Sequence, residues 1–138
     1  MKAFIDTSAL IKKYVQEPGS DRFENVLKEI SEIVIAPVSV IEIYSVLQRR
    51  VKDSSLSTKE AALFQAELQR DLPYFSRVIF NEELESQAID LIGQYPLKTL
   101  DSIQLASGML SRSDAFVTSD KQLARFAAKV IKKVLLIE

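Results

Sequence analysis

KAFIDTSAL, residues 2–10, sets a short apolar run, Ala3-Phe4-Ile5, directly against an acid, Asp6. The run reads as a buried strand and the residues after Asp6 as the start of a helix. The stretch therefore predicts a strand-to-helix junction with a carboxylate at the end of the strand. Burying a carboxylate is costly unless it is paired, hydrogen-bonded or bound to a metal.

The same alternation continues along the chain. Runs of β type recur at Ala3–Ile5, Ile33–Ala36, Arg77–Phe80, Ala115–Thr118 and Val134–Ile137. Helical spacing fills the intervals, at Ser8–Val15, Asp21–Ile30, Ser39–Val51, Thr58–Leu72, Glu83–Gln94, Leu100–Leu110 and Lys121–Ala128. In the third of these, Val40, Tyr44, Leu47 and Val51 fall at three- and four-residue steps and form a core stripe. Pro73 ends or kinks the fourth. Strands alternating with helices predict an α/β sandwich around a mainly parallel sheet. The clearest breaks, Glu17-Pro18-Gly19-Ser20 and Gln94-Tyr95-Pro96, are too short for domain linkers, so residues 1–138 read as a single domain. The helix-rich middle, residues 39–75, is a candidate for a projecting hairpin and an interface.

Composition narrows the chemistry. Lys plus Arg (18) nearly balance Asp plus Glu (19), so net charge points to neither a nucleic-acid nor a membrane partner. The chain has no Cys, which removes disulfides, thiolate zinc sites and a Cys nucleophile. It has no His, the commonest general base and transition-metal ligand. Any hydrolysis must then use carboxylates, Lys or a metal-bound water. No apolar run approaches the roughly 18 residues of a membrane span, and the first residues lack the apolar region of a signal peptide. These features predict a cytoplasmic protein with no membrane partner.

Ligands of open α/β sheets bind beyond the carboxyl ends of the strands. Asp6 ends the first strand, and Asp120 follows AFVTS at the end of the fourth. Asp101 lies in the first turn of the helix in KTLDSIQLASG, and Glu42 lies one turn into the helix in SVIEIYSVL, between Ile41 and Ile43. All four can converge on one rim of the sheet. Each also has a plainer reading. Asp6 and Asp120 suit helix N-caps. Asp101 suits a helix N-terminus capped by Thr99. Glu42 suits a solvent-facing helix position. Together, however, four carboxylates repel one another, and a hard divalent cation between them relieves this without His or Cys. Mg²⁺ or Mn²⁺ suits such an oxygen set.

DTSALIKKY, then S-V-I-E in a helix, then L-D-S-I-Q-L-A, then F-V-T-S-D resembles the PIN-domain ribonucleases, and most of all the toxins of VapBC toxin–antitoxin pairs. The likeness runs from residue 2 to about residue 128. It implies a three-layer α/β/α sandwich, typically dimeric. It makes Asp6, Glu42, Asp101 and Asp120 a catalytic quartet. Asp6 and Asp101 are then the principal metal ligands, Asp120 completes the site, and Glu42 binds metal or orients the attacking water. Ser8 and Thr118 or Ser119 match hydroxyl positions that support the acids. The resemblance also implies RNA as substrate and a VapB-type antitoxin that lays a C-terminal segment over the groove. One departure is Gln104, where family members often carry His, which bears on any substrate or antitoxin contact of that side chain. Asp53, Asp71, Asp90 and Asp114 match no motif position and read as solvated surface.

The chemistry expected is hydrolysis of RNA by a metal-activated water, leaving a 5′-phosphate and a 3′-hydroxyl. An acidic pocket repels phosphate, so nearby cations are needed. Lys12-Lys13, Arg49-Arg50 with Lys52, and Lys129 with Lys132-Lys133 are the candidates, Lys12 and Lys13 first by proximity to Asp6. Phe4, Tyr44 and Phe64 read as core or interface rather than as base-stacking platforms. A receiver-type domain needs an Asp at the end of the third strand, where Asn81 stands, and a haloacid-dehalogenase-like phosphatase needs one where Ser8 stands. The remaining alternative is a catalytically inactive PIN domain serving as an RNA- or protein-binding scaffold. Loss of an acid would signal it, and none of the four is missing.

Overall fold

The computed structural model describes residues 1–138. Five strands, β1 (Lys2–Ile5), β2 (Glu32–Ile35), β3 (Ser76–Arg77), β4 (Ala115–Thr118) and β5 (Val134–Leu136), form one sheet in the order β3-β2-β1-β4-β5. Every pairing is parallel, so every connection is a crossover. The crossovers carry α1 (Thr7–Leu10), α2 (Ser20–Leu27), α3 (Ser39–Lys52), α4 (Thr58–Asp71), α5 (Glu82–Gln94), α6 (Thr99–Leu110) and α7 (Lys121–Val130).

Alternation along the strands divides the core. Ala3, Ile5, Ile35 and Val117 point to one face and pack with Leu10, Phe23, Ile43, Leu47 and Leu68 from α1–α4. Phe4, Val34 and Phe116 point to the other and pack with Leu84, Leu91, Leu105 and Leu123 from α5–α7. The result is the expected three-layer α/β/α sandwich. The chain runs outward from β1 through β2 to β3, then returns to the other side of β1 to add β4 and β5. That reversal puts a topological switch point between β1 and β4, where open α/β sheets leave a crevice at their carboxyl ends.

Several elements differ from the sequence reading. The third strand is Ser76–Arg77 rather than Arg77–Phe80; Val78 N–H still donates to Ile35 O, but Ile79 and Phe80 are 74% and 55% exposed. The first helix is one α-turn continued by a 3₁₀ turn over Ile11–Lys13. The segment over residues 39–75 does not stand free of the domain, because Leu47 of α3 and Leu68 of α4 are fully buried in the core. Ser57 and Glu60 form a reciprocal capping box that starts α4. No helix is long and apolar enough to cross a membrane.

Candidate active site

A cavity of about 540 Å³ opens at the switch point and is lined by Asp6, Glu42, Asp101 and Asp120 together. The four acids are far apart in sequence, and four different junctions deliver them. Asp6 ends β1, where its N–H bonds to Val117 O of β4, 2.9 Å away. Glu42 is on the first turn of α3, Asp101 on the first turn of α6, and Asp120 at the N-cap of α7.

Asp6 is both an N-cap and a buried site acid. Its Oδ1 accepts from Ser8 N–H and Ser8 Oγ–H, both at 2.6 Å, and from Ala9 N–H at 3.3 Å. Its Oδ2 accepts from Thr118 Oγ–H at 2.6 Å. The residue is only 3% exposed. Burial pushes its carboxyl up to about 6, against the opposing pull of the Ser8, Thr118 and Ala9 hydrogen bonds. A carboxylate with that many donors is still short of stabilisation, and a cation would supply the remainder.

The other acids keep free oxygens. Asp120 caps α7 through Oδ1, which accepts from Gln122 and Leu123 N–H, and leaves Oδ2 unpartnered. Asp101 is half-buried and accepts no hydrogen bond within the chain. Burial first, and then the neighbouring Asp120 charge, raise its carboxyl above the usual range, with Lys98 opposing. Thr99 does not cap α6; it is the first helical residue, and Lys98 holds the N-cap position without a side-chain bond. Glu42 accepts on Oε1 from Thr7 Oγ–H at 2.9 Å and from Gln104 Nε2–H at 2.6 Å, and its Oε2 is free. Its neighbour Ile41 does not mark a buried face, being 73% exposed at the pocket rim.

This donor set is all oxygen, which fits a hard divalent cation. No three acids close around a single point as they stand. Mg²⁺ tolerates this, because it keeps several waters and needs only one or two carboxylates directly. Asp101, Asp120 and Asp6, with Glu42 at the same cavity, are the residues that could hold it with waters completing the shell.

Of the supporting hydroxyls, Ser8 and Thr118 both bond Asp6, whereas the Ser119 hydroxyl is buried without a partner and contributes its backbone N–H to Ser8 Oγ instead. The cations are redistributed. Lys12 is bound to Glu17 at 2.8 Å and to Pro18 O at 2.9 Å. Lys13 is bound to Asp71 at 2.7 Å, and Arg50 pairs with Glu17. Arg49 lines the cavity and enters no ion pair. Asp71 and Asp114 are not merely solvated: Asp71 also accepts from Tyr14 Oη–H, and Asp114 from Lys2 N–H.

Thr7 and Ser39 are contributors the sequence reading passed over. Thr7 follows Asp6 directly. Ser39 is buried and lies 3.2 Å from Gln104 Nε2. Gln104, the departure from the family pattern noted in the sequence, stands three residues after Asp101 and so shares its helix face. It is 3% exposed, as Asp6 is, and lines the inner wall of the same cavity. Its Oε1 is buried without a partner, at a cost of about 1–3 kcal/mol.

Solved structures share the whole architecture. The fold is similar to VapBC2 from Rickettsia felis bound to a DNA fragment from its promoter (15% identity, 98% of this chain and 97% of that one, TM-score 0.70). It is similar to FitAcB from Neisseria gonorrhoeae (14%, 96% of each chain, TM-score 0.71). It is also similar to the sarcin–ricin loop cleaving toxin VapC20 of Mycobacterium tuberculosis (15%, 94% and 97%, TM-score 0.71). No curated protein matches the sequence. The PIN domain family, by contrast, matches residues 3–129, a span that takes in β1 through α6, β4 and all four pocket acids. On that extent of match, the chain belongs to the PIN domain family.

Proposed function

We propose that this chain is a metal-dependent endoribonuclease and the toxin of a type II toxin–antitoxin pair, acting in the cytoplasm. The observation that carries the reading is the convergence of four acids on one cavity, three of them with oxygens that no group in the chain satisfies. The toxin and toxin–antitoxin names of similar structures support the biological half of the proposal.

A bound Mg²⁺ or Mn²⁺ supplies Lewis acidity at the phosphate and lowers the pKa of a coordinated water. The chain does the rest. Asp101, Asp120 and Asp6 would hold the ion, with Ser8 and Thr118 fixing the Asp6 carboxylate. Glu42 Oε2 is free to orient the attacking water. Ile11, Val38, Val46 and Leu100 supply the apolar part of the cavity lining. Arg49 is placed to meet the RNA backbone. A VapB-type antitoxin covering this cavity, with a basic side chain among the acids, would exclude both metal and substrate. A homodimer is the proposed assembly.

The test is RNA cleavage by purified, partner-free protein with Mg²⁺ or Mn²⁺, with EDTA, and with Asp101→Asn. We expect metal-dependent cleavage that the substitution reduces roughly 100-fold, the scale of losing a group that tunes a metal site. Cleavage that survives EDTA or the substitution would sink the reading, and metal binding without cleavage of any RNA would favour the scaffold.

Arg49 and the lysines separate in a second measurement. Arg49→Ala should raise KM several-fold and lower the salt dependence of RNA binding by about one counterion, without changing the melting temperature. Lys12→Ala should instead lower stability, since its ammonium is held by Glu17 and Pro18 O on a side chain only 10% exposed. Equal effects of the two on KM would reject this assignment.

A further inference from the structure

We propose that Gln104 is a positioning residue that holds Glu42 in its working orientation, an inference that rests on the nuclease reading above. Gln104 of α6 reaches two elements from the other half of the chain. Its Nε2 lies 2.6 Å from Glu42 Oε1, 3.0 Å from Thr7 Oγ1 and 3.2 Å from Ser39 Oγ. Two amide hydrogens cannot serve three acceptors, so the carboxylate takes one and the hydroxyls share the other. Chemistry fixes the orientation of the amide: a carbonyl oxygen at 2.6 Å from a carboxylate oxygen would be repelled, so the nitrogen must face Glu42.

That orientation strands the Gln104 carbonyl in the interior with no partner. Native structures leave few such groups, and an apolar side chain of the same length would fill the space without one. The amide is therefore tolerated for its donor, and the strongest acceptor of that donor is a site acid. Glu42 needs the help. It stands beside the exposed Ile41 on a partly open turn, with a long side chain free to turn away from the cavity. Gln104 and Thr7 together fix Oε1 and leave Oε2 to the cavity. A lysine or arginine would clamp as well, but its charge would compete with a cation for the same acids. A neutral donor holds the carboxylate without neutralising it.

The experiment uses Gln104→Met, which keeps length and loses the donor. In partner-free protein we expect the metal-free melting temperature to hold or rise. Mn²⁺ affinity by calorimetry, or kcat for RNA cleavage, should fall roughly 10- to 100-fold, the usual effect of removing a group that orients a metal-site ligand, with KM little changed. Because Gln104 acts through Glu42, adding Gln104→Met to Glu42→Ala should change neither quantity further. Additive losses, or unchanged Mn²⁺ affinity and kcat in Gln104→Met, overturn the proposal. Should Gln104→Met not fold, Thr7→Val removes the other donor to Glu42 Oε1 and must show the same loss and the same non-additivity. A wild type that binds Mn²⁺ but cleaves no RNA overturns the nuclease reading, and the Mn²⁺ affinity cycle then decides the clamp alone. A wild type that binds no Mn²⁺ and cleaves nothing overturns both.

Discussion

Asp6→Asn should, on the nuclease reading, cleave RNA roughly 100-fold more slowly and yet, without metal, be more stable than the wild type at neutral pH. The carboxyl of Asp6 titrates near 6 in the fold, above its ordinary 3.8, because it is buried. The folded state therefore holds its proton more tightly than the unfolded chain does. Stability from this group is greatest below pH 3.8 and falls as pH rises to about 6, then stays level. A shift of about two units corresponds to about 3 kcal/mol, all of it lost by pH 7.5. Asparagine never ionises and avoids that loss. Its amide keeps a carbonyl for the Ser8 and Ala9 N–H groups, and the Thr118 hydroxyl can turn to accept from the new NH₂ while donating to Ser8 Oγ, 3.2 Å away. Urea unfolding in EDTA should show the two proteins converging below pH 3.8 and the variant ahead at pH 7.5. Adding Mn²⁺ should reverse the order, since only the wild type gains from binding. A variant less stable than wild type at pH 7.5 in EDTA would show that the Asp6 hydrogen bonds outweigh its desolvation.

The second large effect lies in the core, behind the site. Gly108 of α6 faces the stacked rings of Phe4 and Phe116, whose centroids are 5.3 Å apart. A Cβ at this position would stand 2.5 and 2.6 Å from two Phe116 ring carbons and 3.3 Å from Phe4. Both rings are fully buried on central strands, so neither can retreat. Gly108→Ala must push α6 off the sheet, at about 3 kcal/mol, the upper part of the usual range for overpacking. It should also lower cleavage, because the other end of α6 carries Asp101 and Gln104. Phe116→Leu should recover part of the stability in the Gly108→Ala background while costing stability on its own. Unfolding of Gly108→Ala at the wild-type urea concentration would remove the clash from consideration.

What the sequence could announce depended on how local each feature is. The central strands were legible because Ala3-Phe4-Ile5 and Ala115–Thr118 are apolar on both faces, as parallel strands covered by helices must be. The four acids were legible because each sits at a strand end or a helix start, positions with their own chain signals. Val78-Ile79-Phe80 misled for the same reason: an apolar run reads as a strand, and nothing local says that Ile79 and Phe80 face outward. The lysines show the limit more sharply. Lys12 and Lys13 are near Asp6 along the chain, but their long side chains turn to Glu17 and Asp71, and Asp71 is 58 residues from Lys13. The Gln104 clamp spans 62 residues to Glu42 and was equally out of reach. Contacts made by flexible side chains across the fold are decided by packing, which no local pattern encodes.

The order of strands has a consequence for the chain while it is being made. β1 leaves the ribosome before the other four strands of the sheet and is the central one, yet its partner β4 begins more than a hundred residues later, at Ala115. Until then Asp6 lacks the Val117 carbonyl and the Thr118 hydroxyl that hold it, and Asp120 does not exist. Closing so long a loop is the slow step for a parallel sheet. A nascent chain therefore carries β1, β2 and their helices before the acids can be gathered, and the site is assembled in one late event when β4 docks. On the nuclease reading, that topology would supply a delay between synthesis and activity during which a partner can bind.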